Sequence, residues 1–208
     1  MNFSAVILVG GKSSRMGRDK ALIEVNGQPL LARQIQFARD AGAREIFVSA
    51  RSENNYAAFG CRVLSDRFAD TGPLGGIESA LAEATTPLLL VLAVDMPQIS
   101  VKFLQEFASR CETNQGVIPR FRNQIEPLAA FYPKSAHQLA VTLLERRSPA
   151  RQVQARAGSE TGAPSARLFA ERCVAARLAT FVDLPDSDAR FFANCNSPAD
   201  FAEVSKIT

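Results

Sequence analysis

Residues 9–22 combine glycines with basic side chains directly after an apolar run, a pattern typical of phosphate binding. They read VGGKSSRMGRDKAL, so Gly10 and Gly11 lead into Arg15 and Lys20. Glycines let backbone N–H groups approach phosphate oxygens, while arginine and lysine supply positive charge. The spacing matches neither a Walker A loop nor a dinucleotide-binding G-x-G-x-x-G. We therefore expect a phosphate loop of another kind.

A carboxylate, Asp95, ends the most apolar stretch of the chain, PLLLVLAVD. At the end of a buried strand such a side chain is held rigidly in the ligand crevice. Mg²⁺ binds one or two protein carboxylates and completes its octahedron with water and phosphate oxygens. An Asp that only hydrogen-bonds its own turn is the alternative. A phosphate loop at the same edge of the sheet favours a metal-binding role for Asp95.

The segments that must position these residues alternate between strand and helix patterns. The predicted strands are FSAVILV, EIFVSA, CRVLSD, PLLLVLAVD and LAAFYP. The predicted helices are PLLARQIQFARDAG, PLGGIESALAEA, a segment capped by Ser100, and SAHQLAVTLLERR. This order predicts an α/β, Rossmann-like fold, with a mostly parallel central sheet and helices on both faces.

Ligands of such sheets lie beyond the carboxyl ends of the strands. The strand ends supply polar or glycine residues in this chain: the Gly10–Gly11 pair, Ser49, Asp66 and Asp95. The GPLGG segment that follows Asp66 brings in further glycines, which would let a sugar or a base approach closely. We expect these strand ends to form one crevice.

The last third of the chain is less regular. A Pro-, Gly-, Ser- and Arg-rich segment predicts a mobile loop at about residues 150–170. The closing FFANCNSPADFAEV predicts a short strand and then a helix with Ser197 as N-cap. We expect one domain, residues 1–208.

Composition limits the classes of function. The net charge is +3, from 24 basic and 21 acidic residues, which is too small to argue for a nucleic-acid partner. No apolar run approaches the length of a membrane span, and the four cysteines are scattered as free thiols are in a reducing compartment. We expect a cytoplasmic protein that binds neither membrane nor nucleic acid. The single histidine, His137, reads as a partly exposed helix residue and not as a catalytic base.

These motifs together resemble those of a known family. LVGGKSSRMGRDKALIEVNGQPLL is similar to the L-A-G-G-x-S-x-R-M-G-x-D-K signature of nucleotidylyltransferases that activate small molecules by NMP transfer. GPLGG and VDMP match the next two blocks of that superfamily in order and separation. IEPLAAFYPKS and NCNSPADF narrow the resemblance to the molybdenum cofactor guanylyltransferases, which join GMP to molybdopterin.

The resemblance implies roles for individual residues. GTP would be contacted by Leu8, Val9, Gly10, Gly11, Lys20, Ser49, Asp66 and Asp95. Catalysis would rest on Arg15, Lys20 and Asp95, with Mg²⁺ on Asp95. Contacts to the nucleotide or the pterin would come from Gly75, Asn194 and Asn196. Two positions depart from the family pattern: Val9 replaces the usual alanine, and Ser49 stands where asparagine is common.

The implied substrates are GTP and molybdopterin, with transient contact to molybdenum cofactor biosynthesis or acceptor proteins. Two alternatives stay open at this point. One is a sibling transferase, which would use CTP with the same pterin or an NTP with a sugar or polyol phosphate. The other is a non-catalytic carrier of nucleotide or pterin. A carrier has no need of a metal carboxylate, so the set Arg15, Asp19, Lys20 and Asp95 favours an enzyme.

Overall fold

A five-stranded sheet forms the centre of the computed structural model. The described residues are 1–9, 19–50, 56–68, 70–146, 164–195 and 200. Their strands are, in chain order, β1 (Phe3–Leu8), β2 (Glu24–Val25), β3 (Gln28–Pro29), β4 (Glu45–Ser49), β5 (Arg62–Leu64), β6 (Leu88–Ala93), β7 (Gly116–Phe121), β8 (Gln124–Ile125), β9 (Ala129–Pro133) and β10 (Ala179–Asp183). The central sheet has the order β5-β4-β1-β6-β9. Its first four strands are parallel, and β9 is antiparallel to β6.

Helices cover both faces of this sheet. They are α1 (Leu30–Asp40), α2 (Pro73–Glu83), α3 (Val101–Arg110), α4 (His137–Glu145) and α5 (Ala166–Ala175). Successive strand residues point to opposite faces. In β1, Ala5 and Ile7 therefore join the core under α1 and α3, while Val6 and Leu8 join the core under α2, α4 and α5. The predicted α/β, Rossmann-like architecture is confirmed.

The strand order reverses between β1 and β6. Along β5-β4-β1-β6 the parallel strands come third, second, first and fourth in the chain. The crevice outside the carboxyl ends at such a reversal is where open α/β sheets bind ligands. The register aligns Leu8 with both Ser49 and Ala93, and Ser49 with Leu64. The four strands thus end in one row, which places the residues that follow them at one edge.

The end of the described chain differs from the sequence prediction. The prediction of a strand at FFANC was wrong, because Asp186–Phe192 form a 3₁₀ helix. Phe191 and Phe192 pack their rings on Phe103 of α3, with centroids 5.3 and 5.4 Å apart. Aromatic packing against a helix therefore outweighs the strand preference of this pair. The helix predicted after Ser197 lies outside the described residues, apart from Asp200.

A second small sheet, β10-β7-β8, was not predicted. Helix α5 precedes its strand β10, and Ser165 caps that helix by accepting a 3.1 Å hydrogen bond from the backbone N–H of Leu168. The loop expected at residues 150–170 therefore cannot extend past residue 165, and its residues 150–163 lie outside the described part. Within the described residues, no helix combines the length and the apolar character that a membrane crossing requires.

Candidate active site

Lys20 and Asp95 meet at the strand reversal. Lys20 begins a 3₁₀ turn, Lys20–Leu22, in the segment that leads from β1 to β2. Its ammonium lies 3.2 Å from Oδ2 of Asp95, which follows β6, and the two side chains are 22% and 23% exposed. The pair is therefore oriented by the fold yet open to a ligand. The structure brings together Lys20, which the sequence predicts to bind phosphate, and Asp95, which it predicts to bind a metal.

The backbone around Asp95 is fixed from three sides. Its carbonyl accepts a 2.9 Å hydrogen bond from the N–H of Cys195, and the N–H of Val94 donates to the carbonyl of Leu8 at 3.1 Å. The buried side chain of Gln34, on α1, donates through Nε2 to the carbonyl of Met96 at 2.7 Å. Sequence reasoning missed Gln34. The sequence offers one sign of this role, because Gln34 is a polar residue on the apolar face of the predicted helix α1.

The segment Asn194–Cys195 reaches this turn. Burial raises the pKa of the Cys195 thiol to about 11, the charges of Asp200 and Asp95 raise it as well, and Lys20 lowers it. Asn194, which precedes Cys195 in the chain, is exposed, and its contact with a ligand stays a prediction. Its predicted partner Asn196 lies outside the described residues.

Ser49 and Asp66 form the other half of the crevice. Ser49 ends β4 and donates a hydrogen bond of 3.2 Å from its hydroxyl to Oδ1 of Asp66. Both lie next to the N-terminal end of α2, which begins with Pro73 at its first position. The short serine side chain therefore orients a carboxylate at this edge. An asparagine at position 49 would project further.

The glycines of α2 are required for packing. A Cβ at Gly76 would overlap Ser49 Oγ and come within 3.0 Å of Leu8 Cδ2. A Cβ at Gly75 would overlap Thr71 Oγ1 and lie 3.2 Å from Asp66 Oδ2. We expected these glycines to make room for a sugar or a base. The contacts show that they bring α2 against the strand ends, and the approach of a sugar or a base to them stays a prediction.

A buried carboxylate supports this region from behind. Glu78 of α2 is fully buried and accepts a 2.8 Å hydrogen bond from Nε2 of His137 on α4. Arg67, next to Asp66, reaches the same Glu78 oxygen at 3.2 Å. His137 is 30% exposed. The single histidine thus links two helices, which agrees with its interpretation as a partly exposed helix residue.

Four of the predicted site residues lie outside the described part of the chain: Gly10, Gly11, Arg15 and Asn196. Leu8 and Val9 are described and buried, and the N–H of Val9 donates to the carbonyl of Ser49 at 3.1 Å. Their side chains thus belong to the core. Only their backbone can face a nucleotide.

Asp95 fits a cation that a ligand shares. The described residues contain no group of three or more His, Cys, Asp or Glu side chains that could hold a metal by itself. A single carboxylate still suits Mg²⁺, which takes its other ligands from water and phosphate oxygens. Lys20 already places a positive charge against Asp95. The carboxylate therefore lies where it can balance a cation.

The sequence of the chain is similar to a family model and to proteins of other organisms. Residues 5–163 match the model of the family described as MobA-like NTP transferase domain. A probable molybdenum cofactor guanylyltransferase from Opitutus terrae is 33% identical over 200 residues, covering 95% of this chain and 92% of that protein. A molybdenum cofactor guanylyltransferase from Xanthomonas euvesicatoria pv. vesicatoria is 30% identical over 203 residues, covering 97% and 94%.

Solved structures show the same fold at lower identity. The crystal structure of molybdopterin-guanine dinucleotide biosynthesis protein A from Archaeoglobus fulgidus matches with a TM-score of 0.71 and 20% identity, covering 100% of this chain and 98% of that one. A manganese complex of Rv0371c from Mycobacterium tuberculosis matches with a TM-score of 0.64 and 12% identity, covering 98% and 97%.

Proposed function

The chain belongs to the MobA-like NTP transferase domain family, and from this premise we propose that it transfers GMP from GTP to molybdenum-molybdopterin. The products are the guanine dinucleotide form of the molybdenum cofactor and pyrophosphate. The observation that carries the proposal is the pair of Lys20 and Asp95, 3.2 Å apart where the strand order reverses. The names of the relatives from Opitutus and Xanthomonas support the choice of substrate.

The reaction is an in-line displacement. A phosphate oxygen of the pterin forms a bond to the α-phosphorus of GTP, while the bond from that phosphorus to the oxygen bridging the β-phosphorus breaks. The bridging oxygen leaves with pyrophosphate. The enzyme supplies no nucleophile, so positioning and charge stabilisation provide the catalysis.

The chain's own groups divide this work. Lys20, Arg15 and the backbone N–H groups of Gly10 and Gly11 neutralise the charge that develops on the leaving pyrophosphate. Mg²⁺ held by Asp95 would supply further charge neutralisation on the phosphate oxygens.

Ser49, Asp66 and Gly75 line the nucleoside side of the crevice in this proposal. The hydrogen bond of 3.2 Å between the Ser49 hydroxyl and Asp66 orients a carboxylate that can accept hydrogen bonds from ribose hydroxyls or base N–H groups. Asn194 and Asn196 would contact the nucleotide or the pterin in this proposal.

A nucleotide panel tests the assignment. Purified protein with Mg²⁺ and molybdenum-molybdopterin is given GTP, CTP, ATP or UTP in turn, and pyrophosphate release and product mass are followed. The same panel is run with sugar and polyol phosphates as acceptors. We expect release with GTP and a pterin–GMP product. Faster turnover with CTP, or turnover only with a sugar or polyol phosphate as acceptor, would identify a sibling transferase. GTP binding without turnover would identify a carrier.

Asp95→Ala tests the metal carboxylate. We expect kcat to fall at least ~10²-fold, which is the effect of removing a key electrostatic group. Asp40→Ala is the matched control, because Asp40 is an exposed carboxylate at the end of α1. Electron paramagnetic resonance of Mn²⁺ with GTP should show weaker metal binding by Asp95→Ala alone. Unchanged pyrophosphate release from that variant would refute the role.

We also propose that the reaction takes place in the cytoplasm. All four cysteines are free thiols, and three of them are buried. Free buried thiols are typical of a reducing compartment. Transient contact with molybdenum cofactor biosynthesis or acceptor proteins stays a prediction.

A further inference from the structure

The side chain of Tyr56 lies buried beside the turn that carries Lys20. Tyr56 is 1% exposed, and its hydroxyl donates a 2.5 Å hydrogen bond to Oδ2 of Asp19. Its ring lies near that of Phe59, with the centroids 6.5 Å apart. A buried phenol needs a hydrogen-bond partner, and a carboxylate makes a stronger one than a neutral acceptor. Tyr56 therefore holds the carboxylate of Asp19 in one place.

Asp19 uses its second carboxylate oxygen to cap the turn. Oδ1 accepts a 3.0 Å hydrogen bond from the backbone N–H of Ala21. The carbonyl of Asp19 accepts a second bond, of 3.1 Å, from the N–H of Leu22. Ala21 itself is fully buried. The capping carboxylate thus fixes the backbone from which the side chain of Lys20 extends.

These bonds link Tyr56, through Asp19, to the turn that carries Lys20. Tyr56 is separated from Asp19 by 37 residues, so their contact joins two distant parts of the chain. Tyr56 follows β4, which ends at Ser49 on the nucleoside side of the crevice. Lys20 stands on the phosphate side, 3.2 Å from Asp95. The hydroxyl of Tyr56 therefore joins a residue that follows β4 in the chain to the turn that carries Lys20.

We propose that Tyr56 is a positioning residue for nucleotidyl transfer, which sets the location of the Lys20 ammonium through Asp19. The inference rests on the proposed function, in which Lys20 binds the triphosphate. Loss of the phenolic hydroxyl frees one oxygen of Asp19 and loosens the turn. Lys20 then samples positions away from the phosphates. A displacement of about 1 Å at a positioning group can cost ~10²-fold in rate.

Tyr56→Phe is the test, because it removes the hydroxyl and keeps the ring. We expect kcat/KM for GTP to fall about 10- to 100-fold, with a raised KM and a lowered kcat, since Lys20 binds the triphosphate and also stabilises the charge that develops as pyrophosphate leaves. Tyr132→Phe is the matched control. Tyr132 is also fully buried, and its hydroxyl donates a 2.9 Å hydrogen bond to the carbonyl of Pro127. That variant should keep kcat/KM close to the wild-type value.

A double variant separates positioning from general loss of stability. If Tyr56 acts through Lys20, adding Tyr56→Phe to Lys20→Met should change kcat/KM no further. An equal loss in both backgrounds would overturn the inference, as would equal losses from Tyr56→Phe and Tyr132→Phe.

A binding measurement distinguishes failure of this inference from failure of the proposed function. If the wild-type protein transfers no GMP to molybdopterin, the proposed function fails. Calorimetric titration with GTP then decides the role of Tyr56. Weaker GTP binding by Tyr56→Phe than by Tyr132→Phe supports the positioning role. Equal binding by the two variants refutes it.

Discussion

Gly76 lies where α2 packs on the ends of β1 and β4, and Gly76→Ala tests that contact. The new Cβ would overlap Ser49 Oγ, and it would lie 2.9 Å from Ser49 Cβ and 3.0 Å from Leu8 Cδ2. Carbon atoms normally approach to about 3.5–4.0 Å. The Ser49 hydroxyl must therefore rotate away, which breaks its hydrogen bond to Asp66. Helix α2 must also move outward by several tenths of an ångström.

Three contributions determine how Gly76→Ala changes the free energy of unfolding. Overpacking costs about 1–3 kcal/mol, and the lost hydrogen bond costs about 0.5–1.5 kcal/mol. Alanine at a helix position offsets about 1 kcal/mol of this, because it orders more readily than glycine. The net loss in the free energy of unfolding is then roughly 0.5–3.5 kcal/mol.

Urea unfolding followed by circular dichroism measures this loss, since the chain contains no tryptophan. The double variant Ser49→Ala/Gly76→Ala should cost about 1 kcal/mol less than the sum of the two single variants, because the overlapping oxygen is gone. GTP binding should weaken in Gly76→Ala as Asp66 loses the hydrogen bond from Ser49. Additive effects, or a Gly76→Ala protein as stable as wild type, would refute the close packing of α2.

Three further predictions concern titration and burial. At pH 8 a thiol reagent should label the half-buried Cys61 before the buried Cys195, because burial raises the pKa of the Cys195 thiol to about 11. Equal labelling rates for the two cysteines, measured by mass spectrometry, would contradict the burial of Cys195. The hydrogen bond from the Ser4 hydroxyl lowers the pKa of Glu45 from 4.5, so Glu45 stabilises the fold above that pH, and this contribution is lost as the pH falls through the lowered pKa. In urea unfolding at a series of acid pH values, the free energy of unfolding should fall less steeply with pH in Ser4→Ala than in wild type, and equal slopes would count against the bond. His137→Ala should lower the free energy of unfolding by about 1–3 kcal/mol, because a buried carboxylate loses a donor, and an unchanged urea midpoint would contradict this.

The sheet was predictable because its strands carry strong local signals. In Phe3–Leu8 and Leu88–Ala93 every residue is buried, as an uninterrupted apolar run predicts for strands covered on both faces. Helix Leu30–Asp40 followed from its periodic apolar face, and Gly42 ends it with φ of 103°. The predicted cap of α3 is also present, since the Ser100 hydroxyl accepts from the N–H of Phe103 at 3.2 Å.

The meeting of Ser49, Asp66 and Asp95 at one edge followed from topology, because parallel strands share the end at which they finish. The supports of the site could not be predicted. Tyr56 contacts Asp19 across 37 residues, and Gln34 reaches Met96 across 62. Such contacts depend on how the elements pack in three dimensions, and local spacing carries no trace of them.

Transfer of labelled phosphate tests the central claim most directly. The protein is incubated with Mg²⁺, molybdenum-molybdopterin and GTP labelled at either the α- or the γ-phosphate, and the pterin product is separated from pyrophosphate. Attack at the α-phosphorus places the α-label in the pterin product and the γ-label in pyrophosphate. A γ-label in the pterin product, or an α-label that stays with free GMP, would contradict nucleotidyl transfer at the site of Lys20 and Asp95.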